Sequence, residues 1–190
     1  MNRKAPPALI ADTQRWLERA VIGLNLCPFA KAVHVKGQIR YVVSEAPDTN
    51  TLLDELVREL QQLHASDPVV TDTTLLIIPS LLDDFSAFLD FVDLAEVSLR
   101  MQGLAGELQL AHFHPDYVFA DAEGPDDLAN QTNRSPWPTL HLIREASLSR
   151  ATAAIPDAAD IYERNIALAR QIGAAGWQAL AVGKHEGETP

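Results

Sequence analysis

The sequence predicts an α/β or α+β sandwich, in which a small mixed sheet of about four strands is covered by amphipathic helices. Three observations favour this class. Apolar residues recur at helical spacing in several segments, short apolar runs of strand length lie between those segments, and the two kinds of segment alternate along the chain. We expect residues 1–190 to form a single globular domain, because a chain of this length buries enough surface for one core.

The first half of the chain contains two predicted helices and two predicted strands. Residues 10–26 carry apolar side chains at helical spacing, and we expect this helix to stop at the Cys-Pro pair that follows. Residues 39–43 are short and β-branched, which predicts a strand. A leucine stripe marks one face of a helix over residues 48–65, and the apolar run 74–78 indicates a strand that is covered on both faces.

The second half continues the alternation and adds a long polar loop. A helical stripe begins at Phe85 and closes at Gly103, and residues 108–113 and 139–145 alternate as strands. The polar loop lies between these two strands, the third and fourth of the sheet. A last helix is predicted over residues 158–172, ended by glycines, and the pattern of residues 177–182 fits either a strand or a helix.

Composition excludes several classes of function. The single cysteine rules out an internal disulfide and a multi-cysteine metal site within one chain, and the net charge of −11 argues against nucleic acid as the main partner. No apolar run is long enough to cross a bilayer, so we expect a cytoplasmic protein without a membrane partner. Residues 1–40 are locally basic, and Arg15 and Arg19 are interpreted as a solvated helix face rather than a docking face for acidic groups.

Residues 112–145 are the segment in which we expect a functional site. This segment holds three of the six histidines and two arginines on a proline-braced loop, and such long ordered loops are usually functional. His112 and His114 lie two apart on a strand and so share a face, which suits a divalent metal ion with His141 or a loop carboxylate as third ligand. The alternative is that one histidine is a core residue bonded to the backbone and the other lies at the rim.

The arginines of the same segment suggest an anion site instead. Guanidinium groups bind phosphate or carboxylate with paired hydrogen bonds, and neutral donors beside them complete such a site. The candidate ligand-binding residues are Asn130, Asn133, Arg134, Ser135 and Arg144. The structural alternative, weighed equally, is that Arg134 pairs with acids of its own loop and Arg144 pairs with a carboxylate on a helix.

Three further side chains are candidates for proton transfer or nucleophilic attack. His141 and Glu145 fall on one face of the predicted fourth strand, which suggests an imidazole oriented by a carboxylate, and His114 is a second candidate for the same task. Cys27 becomes a nucleophile if Pro28 opens a short helix that stabilises a thiolate, and otherwise it is a small buried apolar residue.

Four strings resemble a bacterial family of uncharacterised proteins catalogued as domain of unknown function 1415. They are LNLCPFA (24–30), FHPDYVFA (113–120), TNRSPWPTLHLIREAS (132–147) and ERNI (163–166). The family pattern has Gly at the position of Asp121 and Tyr at the position of Trp137. The resemblance implies a shared pattern of motifs, and it implies no activity.

Three hypotheses about function follow from these residues. The first is a small-molecule enzyme or ligand-binding protein that takes an anionic metabolite at the 112–145 loop, with Arg134 on the anion. The second is a metal-dependent enzyme or metal-binding protein that uses His112 and His114. The third is a non-catalytic interaction module. The sequence contains no glycine-rich phosphate loop, dinucleotide fingerprint or nucleophile elbow that would favour a more specific class.

Overall fold

The structure is a computed structural model that describes residues 6–153 and 160–184. The α-helices of these residues are α1 (Pro6–Trp16), α2 (Ala30–Val35), α3 (Thr49–Ala65), α4 (Phe85–Met101), α5 (Glu145–Thr152) and α6 (Asp160–Ala179). The strands are β1 (Ile39–Val43), β2 (Thr73–Ile77), β3 (Leu108–Phe113) and β4 (Thr139–Arg144). A π-helical segment, Leu17–Ile22, follows α1, and a 3-10 helix, Leu128–Asn133, lies in the long loop.

The four strands form one mixed sheet in the order β1-β2-β4-β3. β1 and β2 are parallel, and β4 is antiparallel to both of its neighbours, so β3 runs in the same direction as β1 and β2. The predicted α/β sandwich with a small mixed sheet is therefore confirmed. The last strand enters the middle of the sheet because the long loop after β3 brings the chain back between β2 and β3.

One face of the sheet packs against α3 and α4. Alternate residues of a strand point to opposite faces, so Leu140 and Leu142 of β4 meet the leucine stripe of α3 and Phe88 of α4 in one buried cluster. Asp48 and Asp84 cap these two helices, because each carboxylate accepts a backbone N–H of the first turn. This face contains most of the large, fully buried apolar side chains.

The opposite face of the sheet is covered by the N-terminal helices and by α5 and α6. Trp16 and Leu17 pack with Trp177 of α6 in a second buried cluster, which also contacts Phe113 of β3. The rings of Trp16 and Phe113 meet edge to face at 5.0 Å. The helices of this layer come from both ends of the chain.

Several boundaries differ from the sequence-based prediction: the helix predicted over residues 10–26 begins at Pro6 and its π-helical continuation ends at Ile22. β4 ends at Arg144, and Glu145 begins α5, a helix that the sequence did not predict. The predicted helix break at Gly173 is present as a kink, with φ 69°, and a further helical segment then runs to Ala179. Residues 177–179 are thus helical and residues 180–184 are irregular. The predicted helix start at Ala158 lies outside the described residues.

Candidate functional site

A buried amide holds the long loop between β3 and β4 together. The side chain of Asn130 is fully buried. Its Oδ1 accepts the backbone N–H of Phe119 at 3.0 Å, and its Nδ2 donates to the carbonyl oxygens of Gly124 and Pro125 at 2.9 and 3.3 Å. Both polar atoms are therefore occupied by the loop backbone. Asn130, predicted to bind a ligand, lies where it stabilises the loop that carries the other candidates.

Asn133 ties the same loop to the end of β3. Its Nδ2 donates to the carbonyl oxygen of His112 at 3.4 Å, and its own carbonyl oxygen accepts the N–H of His114 at 3.3 Å. Burial raises the pKa of the nearby Tyr117 phenol, and the side chain of Asn133 opposes this rise in part. These bonds fix the loop in register with the strand before it.

His114 is a buried histidine with both ring nitrogens in use. Nε2 lies 3.0 Å from the carbonyl oxygen of Leu82, and Nδ1 accepts the backbone N–H of Asp116 at 3.0 Å. Because a carbonyl only accepts, the proton must be on Nε2. In this arrangement neither nitrogen is available to a metal ion or a substrate, and His114 braces three segments of the chain.

His112 lies on the same side of the sheet as His114, as the strand periodicity predicts. Its ring stacks on Tyr117 with centroids 5.5 Å apart and meets the edge of Phe88 at 6.2 Å. Nδ1 is buried without a hydrogen-bond partner in the described part of the chain. Burial lowers the pKa of His112, which favours the neutral ring.

Arg144 and Glu145 lie away from the loop residues. The guanidinium group of Arg144 donates to the carbonyl oxygens of Leu63 and Ser66, where it caps the C-terminus of α3, and it lies 3.8 Å from the carboxylate of Asp72. Glu145 is the first residue of α5, so it does not continue the alternation that would place it beside His141. The predicted His141–Glu145 pairing is not formed.

His141 instead pairs with a threonine on the neighbouring strand. Its Nε2 lies 2.7 Å from the hydroxyl oxygen of Thr73, and that hydroxyl lies 2.6 Å from the carbonyl oxygen of Leu142. His141 is half-buried, with part of its side chain left uncovered. Burial lowers its pKa to about 4, so the imidazole is neutral at pH 7.

Cys27 and His141 both line one small internal chamber between the sheet and the N-terminal helices. α2 begins at Ala30, with Phe29 as its capping residue, so Cys27 lies just before the helix. Burial raises the pKa of the Cys27 thiol, and the backbone N–H groups of Phe29 and Ala30 oppose this only in part. The thiolate that a nucleophile requires is therefore disfavoured.

Side chains of α6 hold the loop before Cys27. Arg164 donates to the carbonyl oxygen of Asn25 at 2.6 Å, and Asn165 donates to that of Leu26 at 2.8 Å. Asn25 has a positive φ of 53°, an uncommon conformation that these contacts help to maintain. The ERNI and LNLCPFA strings, which are far apart in sequence, are thus in direct contact.

An open cleft of about 620 Å³ lies between the long loop and the end of the chain. The loop contributes Pro115, Gln131 and residues 134–136. The other wall is formed by Ala174, Trp177 and Gln178 of α6 and by residues 181–184. Mainly apolar walls with a few polar groups are typical of small-molecule sites.

Two cations face this cleft. Arg134 donates from Nε to the carbonyl oxygen of Tyr117 at 3.2 Å and from a terminal nitrogen to that of Pro125 at 2.7 Å. No carboxylate of the described residues forms an ion pair with it, so its charge is retained. Lys184 is the second cation, and its ammonium lies 4.4 Å from the centre of the Trp137 ring. Ser135 also lines the cleft, but its hydroxyl donates to the carbonyl oxygen of Trp137 at 2.6 Å.

Arg15 and Arg19 hold the outer wall of the cleft in place. Arg15 donates to the carbonyl oxygens of Ala181 and Gly183 at 3.2 and 3.3 Å, and Arg19 donates to that of Leu180 at 3.1 Å. Arg15 also pairs with Asp12 at 2.6 Å. These hydrogen bonds lie at the exposed surface, so the two arginines form a solvated face that also contacts the C-terminal segment, a contact that the sequence did not predict.

Sequence reasoning found Arg134 and Ser135 and missed the other polar residues of the cleft. Those residues are Gln131, Gln178 and Lys184. Gln178 and Lys184 lie more than forty residues after Arg134, and Gln178 falls in the 177–182 segment, whose secondary structure the pattern left open. The cleft depends on the packing of α6 against the 3-10 helix, and no local signal in the sequence reports that contact.

Two features are absent from residues 6–153 and 160–184. No three His, Cys, Asp or Glu side chains of these ranges are grouped so that they could hold a metal ion. No helix within them combines the length and the apolar character needed to span a membrane.

Comparison with known proteins returned one match. A family model described as "Protein of unknown function (DUF1415)" matches residues 8–179. No curated protein and no solved structure matches the chain.

Proposed function

Because the chain belongs to this family of proteins of unknown function, whose description names no activity, we propose from the geometry of the cleft that the protein binds a small anionic metabolite there. The anion carries phosphate or carboxylate groups. The observation that carries the proposal is the state of Arg134, whose charge faces the cleft while backbone carbonyls, rather than a carboxylate, hold the side chain in place.

Backbone carbonyls orient a guanidinium group without neutralising it. An anion that enters the cleft meets a cation already fixed in position, which reduces the entropy lost on binding. Lys184 adds a second positive charge from the opposite wall, and the side-chain amides of Gln131 and Gln178 are neutral donors. Arg134 and Lys184 are the charged side chains of the lining, and both are basic, which suits holding an anion.

The positive charge at the cleft contrasts with the negative charge of the protein as a whole. The chain carries a formal charge of −11, so a general attraction for anions is absent from most of its surface. Arg19 lies behind the wall formed by residues 180–183 and adds positive potential on that side, whereas the charge of Arg15 is balanced by Asp12. Of the residues predicted to bind the anion, Arg134 remains in this proposal, whereas Ser135 lines the cleft with its hydroxyl proton already donated to Trp137.

Thermal unfolding with inorganic phosphate, pyrophosphate and citrate tests the proposal. We expect at least one anion to raise the Tm, and we expect the effect to weaken with added sodium chloride, because the cleft is open to solvent. Lys184→Gln removes a cation that makes no hydrogen bond to the rest of the described chain, and should weaken binding about tenfold, the effect of one charge-assisted hydrogen bond.

Arg100→Gln is the matched control for Lys184→Gln. Arg100 lies on the exposed side of α4, away from the cleft, where its only ion pair in the described structure is a 3.9 Å contact with Glu96. This variant should bind anions as the wild type does. Equal Tm shifts in both variants, or no shift with any of the anions, would contradict the proposal.

A further inference from the structure

The chamber that Cys27 and His141 line is separate from the cleft, and none of its lining residues is shared with it. The chamber lies between the four-stranded sheet and a layer that consists of α1, the π-helical segment and α2. Most of its wall is apolar, with Trp16, Phe29 and Phe113 among the larger side chains. The side chains with hydrogen-bonding groups at this wall include Cys27, Thr73 and His141.

The hydrogen bonds of Thr73 fix the proton on His141. The carbonyl oxygen of Leu142 only accepts, so the Thr73 hydroxyl donates to it, and the hydroxyl oxygen then accepts from Nε2 of His141. The proton is therefore on Nε2, and Nδ1 holds a lone pair. No donor in the described residues forms a hydrogen bond with this lone pair.

Polar atoms of folded proteins nearly always have a hydrogen-bond partner, either in the protein or in a bound molecule. Nδ1 of His141 is not among the fully buried side-chain atoms that lack a partner in the described residues, so it borders open space. The side chain of His141 is half-buried, and part of its surface remains uncovered because it faces the chamber. His141, whose Nδ1 accepts no hydrogen bond from the described residues, therefore lines an empty volume. A molecule in the chamber that carries a hydrogen-bond donor would fill this volume and bond Nδ1.

The size and the charge state of the chamber limit what it can hold. Its volume is about 40 Å³. A single water needs roughly 10 to 15 Å³ of such space, so the chamber takes a molecule of about three heavy atoms. Burial keeps His141 and Cys27 in their neutral forms, so no opposite charge is available to compensate a charged ligand.

We propose that the chamber is a second binding site, which takes a small uncharged molecule whose hydrogen-bond donor bonds Nδ1 of His141 while its remaining atoms lie against Cys27 and the aromatic wall. Small alcohols and ammonia are members of this chemical class. This site does not depend on the anion cleft, because its ligand is uncharged and its residues are different.

Ethanol and acetonitrile form a matched pair of probes. Each has three heavy atoms, but only ethanol has a donor. We expect a saturable change in the ¹⁵N shift of Nδ1 of His141 with ethanol, and a Kd on the order of a millimolar or weaker, since so few atoms limit the affinity. Acetonitrile should bind at least tenfold more weakly, and tert-butanol, with five heavy atoms, should not bind.

Two variants locate the site. His141→Phe keeps a planar ring and removes Nδ1, so the preference for ethanol over acetonitrile should disappear. Ala30→Val keeps His141 and fills part of the chamber from α2, so the ethanol-dependent shift of His141 should be lost. The second variant covers the case in which the first does not fold.

Three results would overturn the proposal. A shift that grows linearly with both probes would mean that the chamber holds water only. Equal affinity for ethanol and acetonitrile in the wild type would mean that Nδ1 has no part in binding. Unchanged ethanol binding by Ala30→Val would place the ethanol at another position.

Discussion

At the cleft, Arg134 and Lys184 are cations that face solvent. At the chamber between the sheet and the N-terminal helices, Cys27 and His141 lie among apolar side chains and are uncharged. Carbonyl oxygens orient Arg134 without taking its charge. A hydroxyl orients His141, and burial removes its charge. The side chains at the cleft are therefore charged and those at the chamber are neutral. The difference follows from burial, because a group that is removed from water favours its neutral form.

Some polar residues of the long loop hold the loop in place, and others line the cleft. Asn130, Asn133 and His114 stood beside Arg134 among the candidates, but the loop backbone uses their polar atoms. Arg134 keeps part of its guanidinium group at the cleft. A polar loop residue is thus available to a ligand only after the hydrogen-bonding needs of the loop itself have been met.

The largest expected effect concerns Asn130, which stabilises the loop that forms one wall of the cleft. Asn130→Ala removes three hydrogen bonds and leaves the N–H of Phe119 and two carbonyl oxygens without this partner, so we expect a loss of roughly 4 kcal/mol in the free energy of unfolding. Urea denaturation measures it. Asn50→Ala, at an exposed position, should stay within about 0.5 kcal/mol of the wild type. A similar loss in the free energy of unfolding for the two variants would show that Asn130 does not stabilise the loop more than an exposed asparagine does.

The next effect concerns the chamber and depends on pH. The pKa of His141 is lowered to about 4 in the folded protein, against an ordinary value of about 6.5 when unfolded. Between these values the unfolded chain binds a proton that the folded chain does not, so stability is lost as the pH falls from 6.5 towards 4. The loss amounts to about 3 kcal/mol.

Urea denaturation of the wild type and of His141→Phe at pH 7 and pH 4.5 measures this contribution. The variant should lose less stability than the wild type over that interval, and the remaining loss belongs to other groups, His112 included, whose pKa is also lowered by burial. An identical loss in both proteins would show that His141 is not held neutral.

The smallest effect concerns the outer wall of the cleft. Arg19→Gln removes an exposed contact with the carbonyl oxygen of Leu180, so stability should change by no more than about 0.5 kcal/mol. Phosphate binding, measured by calorimetry, should weaken a few-fold, because the wall that carries Lys184 is less well held. His141 should be unaffected, and a change in its NMR signals would indicate that the cleft and the chamber are coupled.

The sequence located most elements because their signals are local. The leucine stripe of α3 and the alternation of β3 each depend on residues within one element, and both agree with the structure. α5 was missed because the strand pattern of β4 continues to Glu145, although the chain turns there into a helix. The order β1-β2-β4-β3 depends on where the long loop returns, which no periodicity reports.

By itself, the sequence determined the sandwich class, the strands and the longer helices, and the segment in which polar groups concentrate, because hydrophobic periodicity and turn residues act over a few positions. Tertiary structure alone decided that Arg134 shares a cleft with Lys184 and that Cys27 shares a chamber with His141. These partners are far apart in sequence, and they meet only because buried helices and strands bring distant segments together. Whether a polar group faces a ligand depends on that packing, since the same side chain is a brace where the backbone takes its hydrogen bonds and a binding group where it does not.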